Sequence, residues 1–387
     1  MNRKEHFPAM TKYVYIIGAG ASHAEDKKFP LMKSVFKELE TKDADHNISK
    51  AELYSNLLKW LKSKYSDYQS ANIEDVLTYL DFLRENYIFS DIASKVDYLN
   101  LELQKVGLEL IDYLQDVLNP SGDVGDLKLY PELVKRLKQA DSIISFNYDE
   151  IIDMAIIDSN KKNNGRENLP QLLNLQYLIS KVSNRHSLFS PLGTTYRAES
   201  GTGVLLKLHG SLFWTACMTP DCPNHFFINM GNEDYFIKSE EDYHKNPHFD
   251  LFPDVPPFCG LCGGRLERVF IYPSAFKQLS LFPKMRVLWQ KAHRVLSTAT
   301  HFVIIGYSLP ETDFHVRNLF RQACYSGEGR SWKIVDPAWE VVLRRLRPLI
   351  EKQSHSGTFF LRCYNGFAEY LRDEYVEGID HQYLRKL

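Results

Sequence analysis

The stretch "YVYIIGAGAS", residues 13–22, decides the fold. Five apolar residues without alternation read as a strand buried on both faces, the pattern of a parallel sheet. Gly18 and Gly20 then force a sharp turn, and a helix start after such a turn directs backbone amides at an anion, a phosphate above all. The dinucleotide fingerprint is partial, because His23 stands where its third glycine belongs. No Gly-Lys-Ser/Thr follows, which excludes a Walker-type nucleotide site. A tight strand-to-helix turn without a ligand is the rival reading of this fragment.

Working outward, from about Lys33 to Ala140 the apolar residues recur at helical intervals, as in "AELYSNLLKWLKSKY" and "NIEDVLTYLDFLREN". Strand character returns in "DSIISFNYDEIIDMA" (141–155), "GVLLKLHGSLFW" (203–214), "THFVIIGYSLPETDFHVRNLF" (300–320) and "SWKIVDPAW" (331–339). Buried strands separated by helices predict an α/β fold: a Rossmann-like parallel sheet with a large helical insertion and a small zinc-binding module. Ligands gather at the carboxyl ends of such strands, and the polar motifs all sit there.

The chain has 387 residues, 47 basic against 49 acidic and a net charge of −2, so composition gives no general argument for nucleic-acid or membrane binding. No apolar window reaches membrane-spanning length, and the N-terminus lacks the apolar core of a signal peptide. The expectation is a cytoplasmic protein. Four of the six cysteines fall in two close pairs, Cys217/Cys222 and Cys259/Cys262, the second in "CGLCGG". In a reducing compartment such pairs point to a closed, structural Zn²⁺ site rather than disulfides. His225 is an alternative to Cys222 as ligand, and unmetallated loop cysteines are the bland alternative.

Each polar strand end has an ordinary explanation. Asn147 alone reads as a turn residue, Asp149 as a helix N-cap, His209 as a packed histidine and Gly306 as a turn. Together, GAGAS (18–22), FNYD (146–149), LHGS (208–211), the paired cysteines and IIGYSLPETD (304–313) resemble the sirtuin (SIR2) superfamily. The match covers roughly 11–32 and 141–340. The stretch after the glycine turn, "HAEDKKFPLMKS", lacks the arginine of sirtuin deacylases, and Phe146 stands where their glutamine would be. This pattern is more similar to the SIR2-like NAD-hydrolase branch of bacterial anti-phage defence proteins.

The resemblance implies a discontinuous NAD-binding Rossmann domain over 11–33 and 141–350, a helical insertion over 34–140, a zinc-binding insertion over 215–274 and a C-terminal extension over 351–387. It implies NAD⁺ as substrate and its hydrolysis to deplete the cofactor. Asn147 and His209 are then the catalytic candidates, with His209 suited to general-base work near neutral pH. Gly18, Ala19, Gly20, Ala21 and Ser22 would hold the pyrophosphate, Asp149 the nicotinamide side, and Gly306, Tyr307 and Ser308 the pyrophosphate or adenine-ribose side. Asp336 is a weaker ribose candidate. Cys217, Cys222, Cys259 and Cys262 would hold the metal. Glu74 and Asp75 are either near the pocket or on a solvated helix start. A toxic NADase needs restraint, so a homo-oligomer with a separately encoded partner is expected, a HerA-type ATPase or an Argonaute-like protein in related systems. An NAD-dependent deacylase and a non-catalytic NAD or ADP-ribose sensor are the alternatives.

Overall fold

The structure is a computed structural model. It describes residues 12–41, 49–87, 93–118, 127–138, 140–162, 204–217, 219–220, 222, 228–229, 262–264, 266–271, 283–323, 330–350 and 360–374. Its centre is a six-stranded parallel sheet in the order β3-β2-β1-β7-β8-β9. The strands are β1 (Tyr13–Ile17), β2 (Ser142–Ser145), β3 (Leu205–Lys207), β7 (His301–Ile305), β8 (Ser331–Val335) and β9 (Phe360–Tyr364). Strands β4 (Gly210–Cys217), β5 (Ile228–Asn229) and β6 (Leu266–Phe270) make a separate antiparallel sheet in the order β5-β4-β6. The expected Rossmann-like parallel sheet is therefore present.

The order explains where a ligand would go. From β1 the chain builds outward through β2 to β3, then returns to the other side of β1 and builds outward through β7, β8 and β9. The reversal between β1 and β7 is a topological switch point, where the loops above the strands part and leave a crevice. Register makes that edge level, since Lys207, Ser145, Ile17, Ile305, Val335 and Tyr364 lie in one row across the sheet. One further backbone bond continues most rungs: Leu208 N–H to Ser145, Phe146 N–H to Ile17, Gly18 N–H to Ile305 and Gly306 N–H to Val335. Every motif therefore leaves the sheet at the same height.

The strand read at 203–214 divides at Leu208-His209. Lys207 ends β3, and Gly210 at φ +75° turns the chain into β4 of the small sheet. Strand β9 was not read as a strand. It falls within the stretch expected as a C-terminal extension, and only its last two residues are buried, so it lacks an apolar run. Helix α1 (Ala19–Glu25) follows the glycine turn, and α2 (Lys50–Leu53), α3 (Ser55–Lys64), α4 (Ile73–Tyr87) and α5 (Ala93–Leu118) form the helical block. The block has its own core, including Phe36, Leu57, Leu61, Val76, Leu77, Leu110 and Tyr113, distinct from the cluster around the sheet. Helix α6 (Leu129–Arg136) contributes Tyr130, Leu133 and Val134 to the sheet's core instead. Glu25 fixes it there: its carboxylate accepts the N–H groups of Lys128, Leu129 and Tyr130 at 2.6, 3.1 and 2.7 Å, a negative charge on the positive end of a helix. The other described α-helices are α7 (Ile151–Lys162), α8 (Pro283–Thr298), α9 (Phe314–Ala323), α10 (Trp339–Ile350) and α11 (Phe367–Arg372). No described helix is long and apolar enough to cross a membrane.

Candidate functional site

At the switch point the β1–α1 and β7–α9 turns pass backbone to backbone. The Gly18 N–H donates to Ile305 O (3.0 Å) and the Gly20 N–H to Gly306 O (2.8 Å). A Cβ on Gly18 would lie 2.6 Å from Tyr307 Cα, and one on Gly306, at φ +60°, 2.1 Å from the Ala21 nitrogen. The glycines are needed because each turn is the other's neighbour. A phosphate is not required to explain them, and the Gly18 and Gly20 amides already have acceptors.

Beside this contact, Asn147 is 4% exposed. Its Nδ2 donates to Gly18 O (3.1 Å) and to Ser22 Oγ (2.9 Å). The single Ser22 hydroxyl proton goes to Asp149 Oδ2 (2.8 Å), so the Tyr130 phenol, 3.1 Å away, is the donor in their pair. Burial holds that phenol's pKa well above its usual value, which keeps it a donor. Asn147 Oδ1 is buried and has no hydrogen-bond partner among the described residues. A buried amide oxygen left this way is costly unless a donor, such as a ligand hydroxyl or a water, hydrogen-bonds to it.

One strand further out, His209 is 4% exposed. Its ring packs on Phe146 (centroids 5.0 Å) and Tyr148 (5.9 Å), and Phe146 stacks in turn on Tyr307 at 4.4 Å. Its Nε2 lies 3.3 Å from Asp313 Oδ2, which also accepts the Tyr307 hydroxyl at 3.0 Å. Tyr307 thus sits inside the site as a buried donor. Ser308 is exposed, and its carbonyl accepts from Arg345 Nη1 (2.9 Å). Asp336 follows β8; its Oδ1 accepts the Ala338 N–H at 2.8 Å, and burial raises its pKa. Ala19 and Ala21 lie in the first helical turn of α1, with Ala21 buried.

Three residues were missed. Asp313 closes the motif at 304–313 but was given no role of its own. Tyr130 sits in the helical stretch and carried no signal. Lys207 was legible as a charge inside the apolar run "VLLKLHG". It is 1% exposed and donates to Asp149 O (2.6 Å) and Asp153 Oδ2 (2.8 Å). Of the two acids left open at 74 and 75, Glu74 is buried and accepts the Thr312 hydroxyl at 2.7 Å, while Asp75 is exposed.

Two acids at the start of α7, Asp149 and Glu150, are held away from ionisation. Burial raises Asp149, against the opposing pull of Lys207, and burial pushes Glu150 up to about 7. A carboxyl whose folded pKa exceeds its unfolded value binds more protons when folded, so its ionisation removes stability as pH climbs from about 4.5 to about 7. Glu150→Gln is therefore expected to stabilise the protein by about 1–3 kcal/mol at pH 8 and to leave it unchanged at pH 4.5. Urea midpoints at the two pH values check this; equal effects at both would refute it.

In the small sheet, Cys217 ends β4 and Cys262 precedes β6. With Cys222 their sulfurs all lie within 4.8 Å of one another, and Cys217 Sγ is 3.6 Å from Cys262 Sγ. Hydrogen bonds from the Thr219 hydroxyl and the Gly264 N–H lower the Cys262 thiol to about 6, whereas burial raises Cys217. A Cβ on Gly264 would lie 2.0 Å from Thr219 Oγ1, so a larger residue would require that hydroxyl to turn away from Cys262. Three converging thiols fit a soft divalent metal. Cys259 and His225 lie outside the described residues.

No protein-family model matches the chain, and no curated protein matches it significantly. Solved sirtuin structures are similar to it. Sir2Tm bound to a propionylated peptide is 12% identical over 95% of this chain and 92% of that one, with a TM-score of 0.38. Sir2 in complex with the inhibitor EX-527, 2'-O-acetyl-ADP-ribose and a deacetylated p53 peptide is 13% identical over 94% and 92%, with a TM-score of 0.36. Sir2 with a p53 peptide and NAD⁺ is 13% identical over 72% and 79%, with a TM-score of 0.34.

Proposed function

We propose that this chain is an NAD⁺ hydrolase, releasing nicotinamide and ADP-ribose. The observation that carries the reading is the buried Asn147 Oδ1 at the switch point, one strand from a histidine backed by a buried carboxylate. Nicotinamide leaves NAD⁺ with the electron pair of its bond to C1′ and departs neutral, so no general acid is required. The site has to hold the dinucleotide, keep bulk water out and place one water. Asn147 Oδ1 accepts a hydrogen bond from that water or from a ribose hydroxyl. The water oxygen bonds to C1′, and its proton passes to the His209 imidazole and then to solvent.

The rest of the edge divides its work accordingly. Ser22 Oγ is bonded to Asp149, to Tyr130 and to the Asn147 amide, so the part of these residues is to hold that amide in place. With the Gly18 and Gly20 amides committed, the turn offers a pyrophosphate the Ala19 N–H and close backbone approach. Gly306, Tyr307 and Ser308 are assigned to the pyrophosphate or adenine-ribose side, and Asp336 Oδ2 is the weaker candidate acceptor for a ribose hydroxyl. Zn²⁺ on Cys217, Cys222 and Cys262, with Cys259 as the fourth ligand, would tie down the small sheet without entering the chemistry. The resemblance of the motif set supports a cytoplasmic defence effector that depletes NAD⁺ as a homo-oligomer under a HerA-type or Argonaute-like partner.

The test is nicotinamide release from NAD⁺ by the purified chain without any peptide. His209→Ala and Asn147→Ala are each expected to lower it by about 10²–10⁴-fold while the fold, followed by circular dichroism, is kept. Release that depends on an acylated peptide would mean a deacylase. Binding of NAD⁺ without release, alone and in the presence of the partner, would mean a sensor.

A further inference from the structure

We propose that Asp313 is a positioning residue for His209, and that Glu74, reaching across from the helical block, holds Asp313 in place through Thr312. The kinetic part of this proposal rests on the NAD⁺-hydrolase reading; the pairing itself does not.

Asp313 is 2% exposed, and each of its acceptors is occupied. Oδ1 accepts the Val316 N–H at 3.3 Å and the main-chain oxygen accepts the Arg317 N–H at 3.0 Å, so the residue caps α9. A cap at a helix N-terminus favours the ionised carboxylate. Oδ2 faces the other way, taking the Tyr307 hydroxyl and standing 3.3 Å from His209 Nε2. The aromatic rings of Phe146 and Tyr148 set the plane of the imidazole, and Asp313 sets its rotation within that plane. A carboxylate on Nε2 places the proton on that nitrogen and makes Nδ1 the basic one. When Nδ1 takes a proton, the new charge meets a buried counter-charge already in position, the logic of a third residue orienting a general base.

Thr312, the residue before Asp313, donates its hydroxyl to Glu74 Oε2 at 2.7 Å. Glu74 is 6% exposed and belongs to the first turn of α4, whose Val76, Leu77 and Leu80 lie in the separate core of the helical block. The block therefore reaches the edge of the site at the turn that carries the orienting carboxylate. Among the described residues, Tyr148 stacks on the imidazole and the Tyr307 hydroxyl shares Asp313 Oδ2 with it. Lys207, on its own strand, has its ammonium bonded to Asp149 O and Asp153.

The experiment follows the His209 ring protons against pH by NMR in the full chain, assigned by their loss in His209→Gln. Asp313→Asn keeps the shape and the cap but removes the charge, and is expected to lower the His209 midpoint by about one pH unit or more. Tyr307→Phe removes a competing donor from the same oxygen and is expected to raise it. Midpoints unmoved in both variants overturn the pairing, and neither reading needs NAD⁺. In the nicotinamide assay, Asp313→Asn is expected to lower kcat at least tenfold and to move the acid limb of the pH profile down. Thr312→Val and Glu74→Gln should each lower kcat, with no further loss in the double variant, and Thr312→Ser should restore it. Additive losses overturn the part given to Glu74. A wild type that releases no nicotinamide, alone and with its partner, refutes the hydrolase reading and leaves the NMR result to decide the pair.

Discussion

Gly306→Ala is expected to lose about 2–6 kcal/mol of stability, enough to empty the native state of a marginally stable domain. Two effects add at this position. At φ +60° the residue is in the left-handed region, where a side chain is strained whatever the surrounding space. A Cβ there would also lie 2.1 Å from the Ala21 nitrogen and 2.4 Å from the Gly20 carbonyl carbon, both backbone atoms that no rotamer change can move. Gly263 separates the two effects, because it shares a positive φ (+67°) but a Cβ there would have nothing within 4 Å. Gly263→Ala should therefore show the conformational strain alone, on the order of 1 kcal/mol. Gly20→Ala should show the overlap alone, since its Cβ would meet Gly306 Cα at 2.8 Å at an unstrained backbone position. Urea unfolding followed by circular dichroism reads all three. If Gly306→Ala unfolds at the same midpoint as Gly263→Ala, the two turns do not pack as closely as described.

That contact marks a boundary of what the sequence discloses. The strands β1, β2, β7 and β8 were legible because each is an apolar run ended by polar or glycine residues, and their shared edge followed from the parallel sheet. Asn147 and His209 each read alone as ordinary structural residues, and became candidates only because the polar strand ends together resemble the sirtuin motif set. The purpose of the glycines was not legible: read from one turn they ask for a ligand, and only the second turn, far along the chain, supplies the backbone that needs the room. Asp313 was hidden for the same reason. Its capping role is local and visible, whereas its contact with His209 depends on the order in which β3 and β7 enter the sheet. Strand β9 escaped because Phe360 and Arg362 are exposed, so a true edge strand carried a weak pattern. Glu74 could be placed in the core or in water from its helix alone, and the hydroxyl of Thr312 decides the matter.

Lys207→Met is expected to destabilise the protein by about 3–5 kcal/mol at pH 8, the usual consequence of removing one partner from a buried charged pair. The ammonium is 1% exposed and bridges Asp149 O and Asp153 Oδ2, so it binds β3 to the turn that presents Asn147 and to the first turn of α7. Its charge also lowers the pKa of Asp149 and of Glu150, working against burial at both. Without it the two carboxyls rise further and bind more protons in the folded state than in the unfolded one. The deficit in Lys207→Met is then largest where both would have to be ionised, and it shrinks as pH falls through the raised values toward about 4.5. A merely steric role for the four-carbon stem predicts a loss that does not change with pH, because methionine keeps most of the volume. Unfolding midpoints of wild type and variant at pH 5 and pH 8 distinguish the two, and a constant difference would refute the electrostatic account. On the proposed hydrolase reading, nicotinamide release should also fall when stability is restored by an osmolyte, since the Asp149 turn carries the Asn147 amide and a shift on the order of 1 Å there would misplace the attacking water. The lysine thus links the stability of the sheet edge to the position of the Asn147 amide, through bonds to the Asp149 turn and to α7.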